Sequence, residues 1–139
     1  MRSLRDDNPH VRRAACQALG RVGGREAAHA VSQALHDRNS FVRRAACQAL
    51  GQIADTSVLP ALTELLRDES CFVRRAACEA IKQLAPVATV GTAGVIQALT
   101  NLLCDPNEHV RWSAWQALAA FGIREMPPTV HTCLQRRRV

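Results

Sequence analysis

The chain has no tyrosine, three phenylalanines and two tryptophans, and that scarcity argues against β-sheet, where aromatic and β-branched residues concentrate. It contains no apolar run of about 18 residues, so no membrane-spanning helix is expected. Its first residues include Arg2, Arg5, Asp6 and Asp7, where a secretory leader needs an apolar stretch. A cytoplasmic or else nuclear address is therefore expected. Lysine is nearly missing: Lys82 stands alone among 18 basic residues, and their excess over 12 acids leaves a net charge of +6. That balance admits acidic partners, nucleic acid included, without choosing among them. What the chain does have is alanine, leucine and arginine, all good helix formers. With 47% hydrophobic and 22% charged residues, an all-α globular domain is expected.

The sequence repeats itself. VRRAACQALG occupies residues 11–20 and again residues 42–51, VRRAACEAIK begins at Val73, and VRWSAWQALA begins at Val110. The intervals are 31, 31 and 37 residues, a period that belongs to stacked helix pairs. Counting each Val as position 0, positions 0, 3, 4, 7, 8 and 11 are apolar or small, as Val11, Ala14, Ala15, Ala18, Leu19 and Val22 show in the first copy. That spacing draws one stripe along a helix. Asn8, Asn39, Ser70 and Asn107 stand three residues ahead and read as N-caps. Gly23 and Gly122 follow the last apolar position, where a C-cap is expected.

Between these helices lie second amphipathic segments at residues 25–36, 57–67, 93–104 and 126–136, with Pro60 and Pro128 in the same early register. Each unit therefore reads as helix A, a turn, then helix B. A lone pair cannot bury its apolar faces, so the units must stack. The expected division is a partial unit at 1–23, full units at 24–54, 55–85 and 86–122, and helix A of a further unit at 123–139. Six extra residues fall within 86–92, in a connection that tolerates insertion. Both ends break inside a unit, which leads to the expectation of end-to-end docking or of a longer array.

The pattern Asp, four residues, Val-Arg, two small residues, Ala-Leu-Gly resembles the short HEAT-like repeat of the phycobilin lyases and deoxyhypusine hydroxylase, and it covers essentially the whole chain. The resemblance implies an α-solenoid of the HEAT/armadillo type. It also implies a structural ladder between units, carried onto Asp6, Asp37, Asp68 and Asp105 with Arg12, Arg43, Arg74 and Arg111. Helix B would line the concave surface. Opposite the apolar stripe, positions 2, 5, 6 and 9 form rows. Position 2 holds Arg13, Arg44, Arg75 and Trp112; position 5 holds Cys16, Cys47, Cys78 and Trp115; position 6 holds Gln17, Gln48, Glu79 and Gln116; position 9 holds Gly20, Gly51, Lys82 and Ala119. An arginine row suits carboxylate or phosphate, and Trp112 with Trp115, one turn apart, would be the hot spot of an interface.

Chemistry is sparse. Equivalent cysteines on helices about 8–10 Å apart cannot share a zinc ion with sulfur ligands about 2.3 Å from it, nor form disulfides, which need Cα atoms within about 7 Å. Cys16, Cys47 and Cys78 therefore read as small packing residues, while Cys71, Cys104 and Cys133 follow no spacing pattern, and Cys133 replaces a core leucine. The hydroxylase resemblance implies iron held by His-Glu pairs early in helix B. The matching residues are Arg13-Ala14, Arg44-Ala45, Arg75-Ala76 and Trp112-Ser113, so no metal or cofactor is expected. His10, His29, His36, His109 and His131 are scattered surface residues, and Arg136, Arg137 and Arg138 make a short basic cluster. The expected function is a non-catalytic scaffold whose concave helix-B surface binds another protein or peptide, preferably an acidic one. Nucleic-acid or phosphate binding along the arginine row is the first alternative, and bilin-lyase-like activity the second.

Overall fold

The computed structural model describes residues 2–88 and 91–125. Among them are α1 (Pro9–Val22), α2 (Arg25–Gln33), α3 (Ser40–Ile53), α4 (Leu59–Glu64), α5 (Cys71–Leu84), α6 (Ala93–Asn101) and α7 (Glu108–Ala120), joined by 3-10 turns and without a strand. The odd-numbered helices are the B helices and the even-numbered ones the A helices. Each A helix tightens into a 3-10 turn at its end: Ala34–His36, Leu65–Arg67 and Leu102–Cys104. The helix expected at 126–136, with Pro128, His131, Cys133 and the terminal arginines, lies outside the described residues.

The B helices start where they do because a short polar motif leaves few alternatives. Asp6, Asp37, Asp68 and Asp105 each accept a 2.9 Å hydrogen bond from the backbone amide two residues on, a local turn that ends the preceding segment. Asn8, Asn39 and Asn107 then accept from amides in the first helical turn, satisfying donors that have no intrahelical partner. Ser70 departs from the expectation: its side chain makes no cap bond to α5. At the far end, Gly23 follows α1 at φ 76°, and Gly122 lies just past α7 at φ 89°. Ala54 ends α3 in the left-handed region at φ 60° without a glycine's freedom.

Stacking follows from residue size. The B helices pack α1 on α3, α3 on α5 and α5 on α7, while contacts among the A helices are fewer. A Cβ added to Gly20 would lie 2.9 Å from the Ala49 Cα, and one on Gly51 would lie 3.1 Å from the Ala80 Cα, so these backbones touch. The A layer is looser, with clefts of about 430 Å³ between α2 and α4 and about 310 Å³ between α4 and α6. The B layer is thus the more closely packed of the two. Between the layers lie Leu35, Leu50, Leu62, Leu66, Ile81, Leu84, Leu99 and Leu118, all sealed from solvent. Each such side chain contributes roughly 1.5–3 kcal/mol of burial.

A chain of ion pairs sets the register from unit to unit. Arg12 donates from Nε (2.7 Å) and Nη2 (3.0 Å) to the two carboxylate oxygens of Asp37, and from Nη1 to its own unit's Asp6 carbonyl at 2.8 Å. Arg43 repeats this with Asp68 and the Asp37 carbonyl. Arg74 Nη2 donates to Asp105 at 3.2 Å, its Nε lies 2.8 Å from the other oxygen, and its Nη1 donates to the Asp68 carbonyl. Arg111 holds the Asp105 carbonyl at 2.7 Å. Arg12, Arg43 and Arg74 therefore each tie the loop of their own unit to the loop of the next.

Candidate functional site

A B helix in this stack has three neighbours: the previous B helix, its A partner and the next B helix. At about 100° per residue, positions 0, 3 and 7 face backward, 4 and 8 face helix A, and 1, 5 and 9 face forward. Positions −1, 2, 6 and 10 remain, within an arc of about 80°. In α3 the division is complete. Val42, Arg43, Ala45, Ala46, Cys47, Ala49, Leu50 and Gly51 are buried, while Phe41, Arg44, Gln48 and Gln52 are exposed.

This arc corrects the expected surface. Cys16, Cys47 and Cys78 are fully enclosed, and Gly20 and Gly51 are buried beneath the following helix. Positions 5 and 9 belong to the joints between units. Burial raises the Cys16 thiol to about 11 and the Cys78 thiol to about 12, with the neighbouring Asp37 and Asp105 adding to the effect, and it raises Cys47 likewise. Thiols so held stay protonated and unreactive at neutral pH. Cys71 is half-buried and free, whereas Cys104, which follows no spacing pattern in the sequence, is disulfide-bonded.

The two tryptophans separate for the same reason. Trp112, at position 2, is 62% exposed; Trp115, at position 5, is packed against the core. They do not form one exposed pair. Lys82, at the position of the two glycines, points to solvent instead of admitting a close neighbour.

What the arc does display is a strip of aromatic and cationic groups. Arg13 is half-exposed, while Arg44 and Arg75 are exposed, and Gln17, Gln48, Glu79 and Gln116 lie beside them. Position −1 adds Phe41, 59% exposed, and Phe72, 61% exposed. The sequence reading did not single these out, although their signal was present: in the four copies that position reads His10, Phe41, Phe72 and His109. The groups interlock across units. The Arg44 guanidinium lies 5.8 Å from the centroid of the Phe72 ring, within cation–π range. Arg75 Nε donates to Glu79 Oε1 at 3.3 Å, one turn along α5. Arg44, Phe72, Arg75 and Glu79 surround a dimple of about 100 Å³, too small for a cofactor and of a size for a single side chain.

The positions corresponding to an iron site are occupied by Arg13, Arg44, Arg75 and Trp112, followed by Ala14, Ala45, Ala76 and Ser113. None of these supplies a carboxylate or imidazole ligand. Among the described residues no helix is long and apolar enough to cross a membrane.

Fold and surface together define an α-solenoid built from helix pairs. The chain belongs to the HEAT-repeat family, whose model matches residues 2–82 and 73–137. No curated protein sequence matches it. Among solved structures it resembles the complex of CpcE and CpcF of phycocyanin lyase from Nostoc sp. PCC7120, at 25% identity and TM-score 0.68 over 94% of this chain and 81% of that one. It also resembles human deoxyhypusine hydroxylase in complex with glycerol, at 26% identity and TM-score 0.65 over 84% of this chain and 44% of that one. A designed armadillo repeat protein in complex with the peptide (KR)4 shares the fold at 23% identity and TM-score 0.69, over 97% of this chain and 67% of that one. The chain spans 65% of one engineered protein that it matches and less than half of the hydroxylase.

Proposed function

We propose that this array is a non-catalytic binding scaffold and that the exposed arc of its B helices holds an acidic segment of another protein. The observation that supports this best is the strip formed by Phe41, Arg44, Phe72, Arg75 and Trp112. Three aromatic side chains, each more than half exposed, alternate with arginines across three successive units. Exposed aromatics and arginines of this kind are the groups that dominate interface energetics, and Arg offers a planar fork to a carboxylate. Gln48 and Gln116 add amide donors and acceptors for a bound backbone.

The ladder arginines are spent on holding units together, so the strip arginines are the ones available to a ligand. Glu79 already pairs with Arg75 and repels any anion beside it, carboxylate or phosphate alike, so Arg44 is the stronger anion contact of the two. Arg44→Glu combined with Arg75→Glu should abolish capture of the partner from a native lysate while helicity by circular dichroism is kept. Unchanged capture would remove the proposal. A nucleic-acid ligand would instead show retention that falls steeply with salt.

A further inference from the structure

Resting on the reading of the arc as a site for an acidic segment, we propose that the segment is a polyproline-II strand with a carboxylate at every third residue and prolines between. The site is periodic, and each period lies at a seam between two B helices. At about 100° per residue, position 2 stands at the forward edge of the exposed arc and position −1 at its backward edge. Register therefore brings an arginine of one helix and a flat ring of the next to each seam: Arg13 with Phe41, Arg44 with Phe72, and Arg75 with His109. The middle seam shows the pairing directly, with the Arg44 guanidinium 5.8 Å from the centroid of the Phe72 ring. A ligand that repeats one carboxylate and one apolar ring per unit can use every seam.

Distance selects the backbone. Packed helices lie about 8–10 Å apart, and the backbone contacts at Gly20 and Gly51 hold α1 on α3 and α3 on α5 in that way. Two residues of a fully extended chain span at most about 7.2 Å, too little for a step from one seam to the next. Three residues of polyproline II span about 9.3 Å, and its three residues per turn bring a side chain back to the same side at each step. Carboxylates at every third residue therefore all face the arc, whereas a β-strand repeats every two residues, about 6.6 Å, out of step with the units. Proline adds a preformed strand that docks on aromatic rings, and Phe41 and Phe72 are open to it at 59% and 61% exposure. The dimple of about 100 Å³ framed by Arg44, Phe72, Arg75 and Glu79 lies at the middle seam and is of a size for one proline. Because Glu79 occupies Arg75, Arg44 is the arginine on which the acidic positions depend most.

Fluorescence anisotropy with the intact chain at low salt tests this, using three labelled peptides that each contain four glutamates and eight prolines. The first is four Glu-Pro-Pro triplets, the second four Glu-Pro pairs followed by four prolines, and the third four glutamates followed by eight prolines. Charge and composition are the same, so only the spacing differs. The triplet peptide should bind at least about fivefold tighter than either of the others, Phe72→Ala should weaken it about tenfold, and Arg44→Glu should abolish its binding, with helicity kept in both variants. Equal affinity for the three, or preference for the paired spacing, would overturn the three-residue period, and the acidic-segment reading would stand if Arg44→Glu still abolished binding. No binding of any peptide, while the double charge reversal still abolishes capture from lysate, would overturn the polyproline ligand alone. Peptides that bind the Arg44→Glu variant as well as the parent would overturn both.

Discussion

The arginine at position 1 and the arginine at position 2 are neighbours in sequence with different work to do. Arg43 is buried and fastened to Asp68 and the Asp37 carbonyl, whereas Arg44 is exposed and leans on Phe72. A single residue step, about 100° around the helix, separates a structural joint from the proposed binding surface. The joint is sensitive to acid. Burial alone would raise the Asp37 carboxyl, but the hydrogen bonds from Arg12 and the Asn39 amide, with the charges of Arg12 and Arg38, outweigh it and hold the group below its ordinary value. A carboxyl lowered in the folded state contributes stability that is full above its unfolded value of about 4 and is lost as pH falls through the folded value. Asp37→Asn should therefore cost about 3 kcal/mol near neutral pH, the cost of breaking a largely buried pair. Thermal melts of both chains should converge as pH is lowered below about 4; a constant difference down to pH 2 would show that Asp37 is not the titrating group.

For a single helix, the sequence specifies where it begins more firmly than which sides are covered. The Asp before each Val, the Asn before three of the four, the helix-A leucines and the glycines after α1 and α7 were readable, because caps and apolar spacing are local signals. The faces were not. A stripe of about 100° describes a surface helix with one neighbour, but a B helix in a stack has three, and its buried arc widens past positions 1, 5 and 9. Gly51 fell in an open row only because the forward neighbour was left out of the geometry, whereas Cys47, in the same rows, also read as a small packing residue and is one. Phe41 and Phe72 were missed for the converse reason: position −1 lies in the first turn, outside the span in which rows were counted. Gly20 offers a test of the forward joint. A side chain there meets the Ala49 backbone, which cannot swing away, so Gly20→Val should destabilise the array by about 1–3 kcal/mol, more than its change in helix propensity could return. Equilibrium urea unfolding would measure it. A variant as stable as the parent would mean that α1 and α3 are not held this closely.

Across the whole molecule the units are alike in what builds the stack and unlike in what they show. The Val, Ala, Leu and Arg–Asp positions vary little from copy to copy, while the exposed arc passes from His10, Arg13 and Gln17 through Phe41, Arg44 and Gln48, then Phe72, Arg75 and Glu79, to His109, Trp112 and Gln116. A stack stabilised mainly by neighbour contacts can vary this arc with little loss of stability, which is why function is sought there. The most direct measurement is site-specific photocrosslinking in a native lysate, with benzoylphenylalanine placed at Phe72 on the B layer or at Gln97, exposed beside the cleft of the A layer. The account predicts partner adducts from position 72 that disappear when Arg44→Glu and Arg75→Glu are added, and none of those adducts from position 97. The same adducts from position 97, or adducts at 72 that survive both charge reversals, would contradict it.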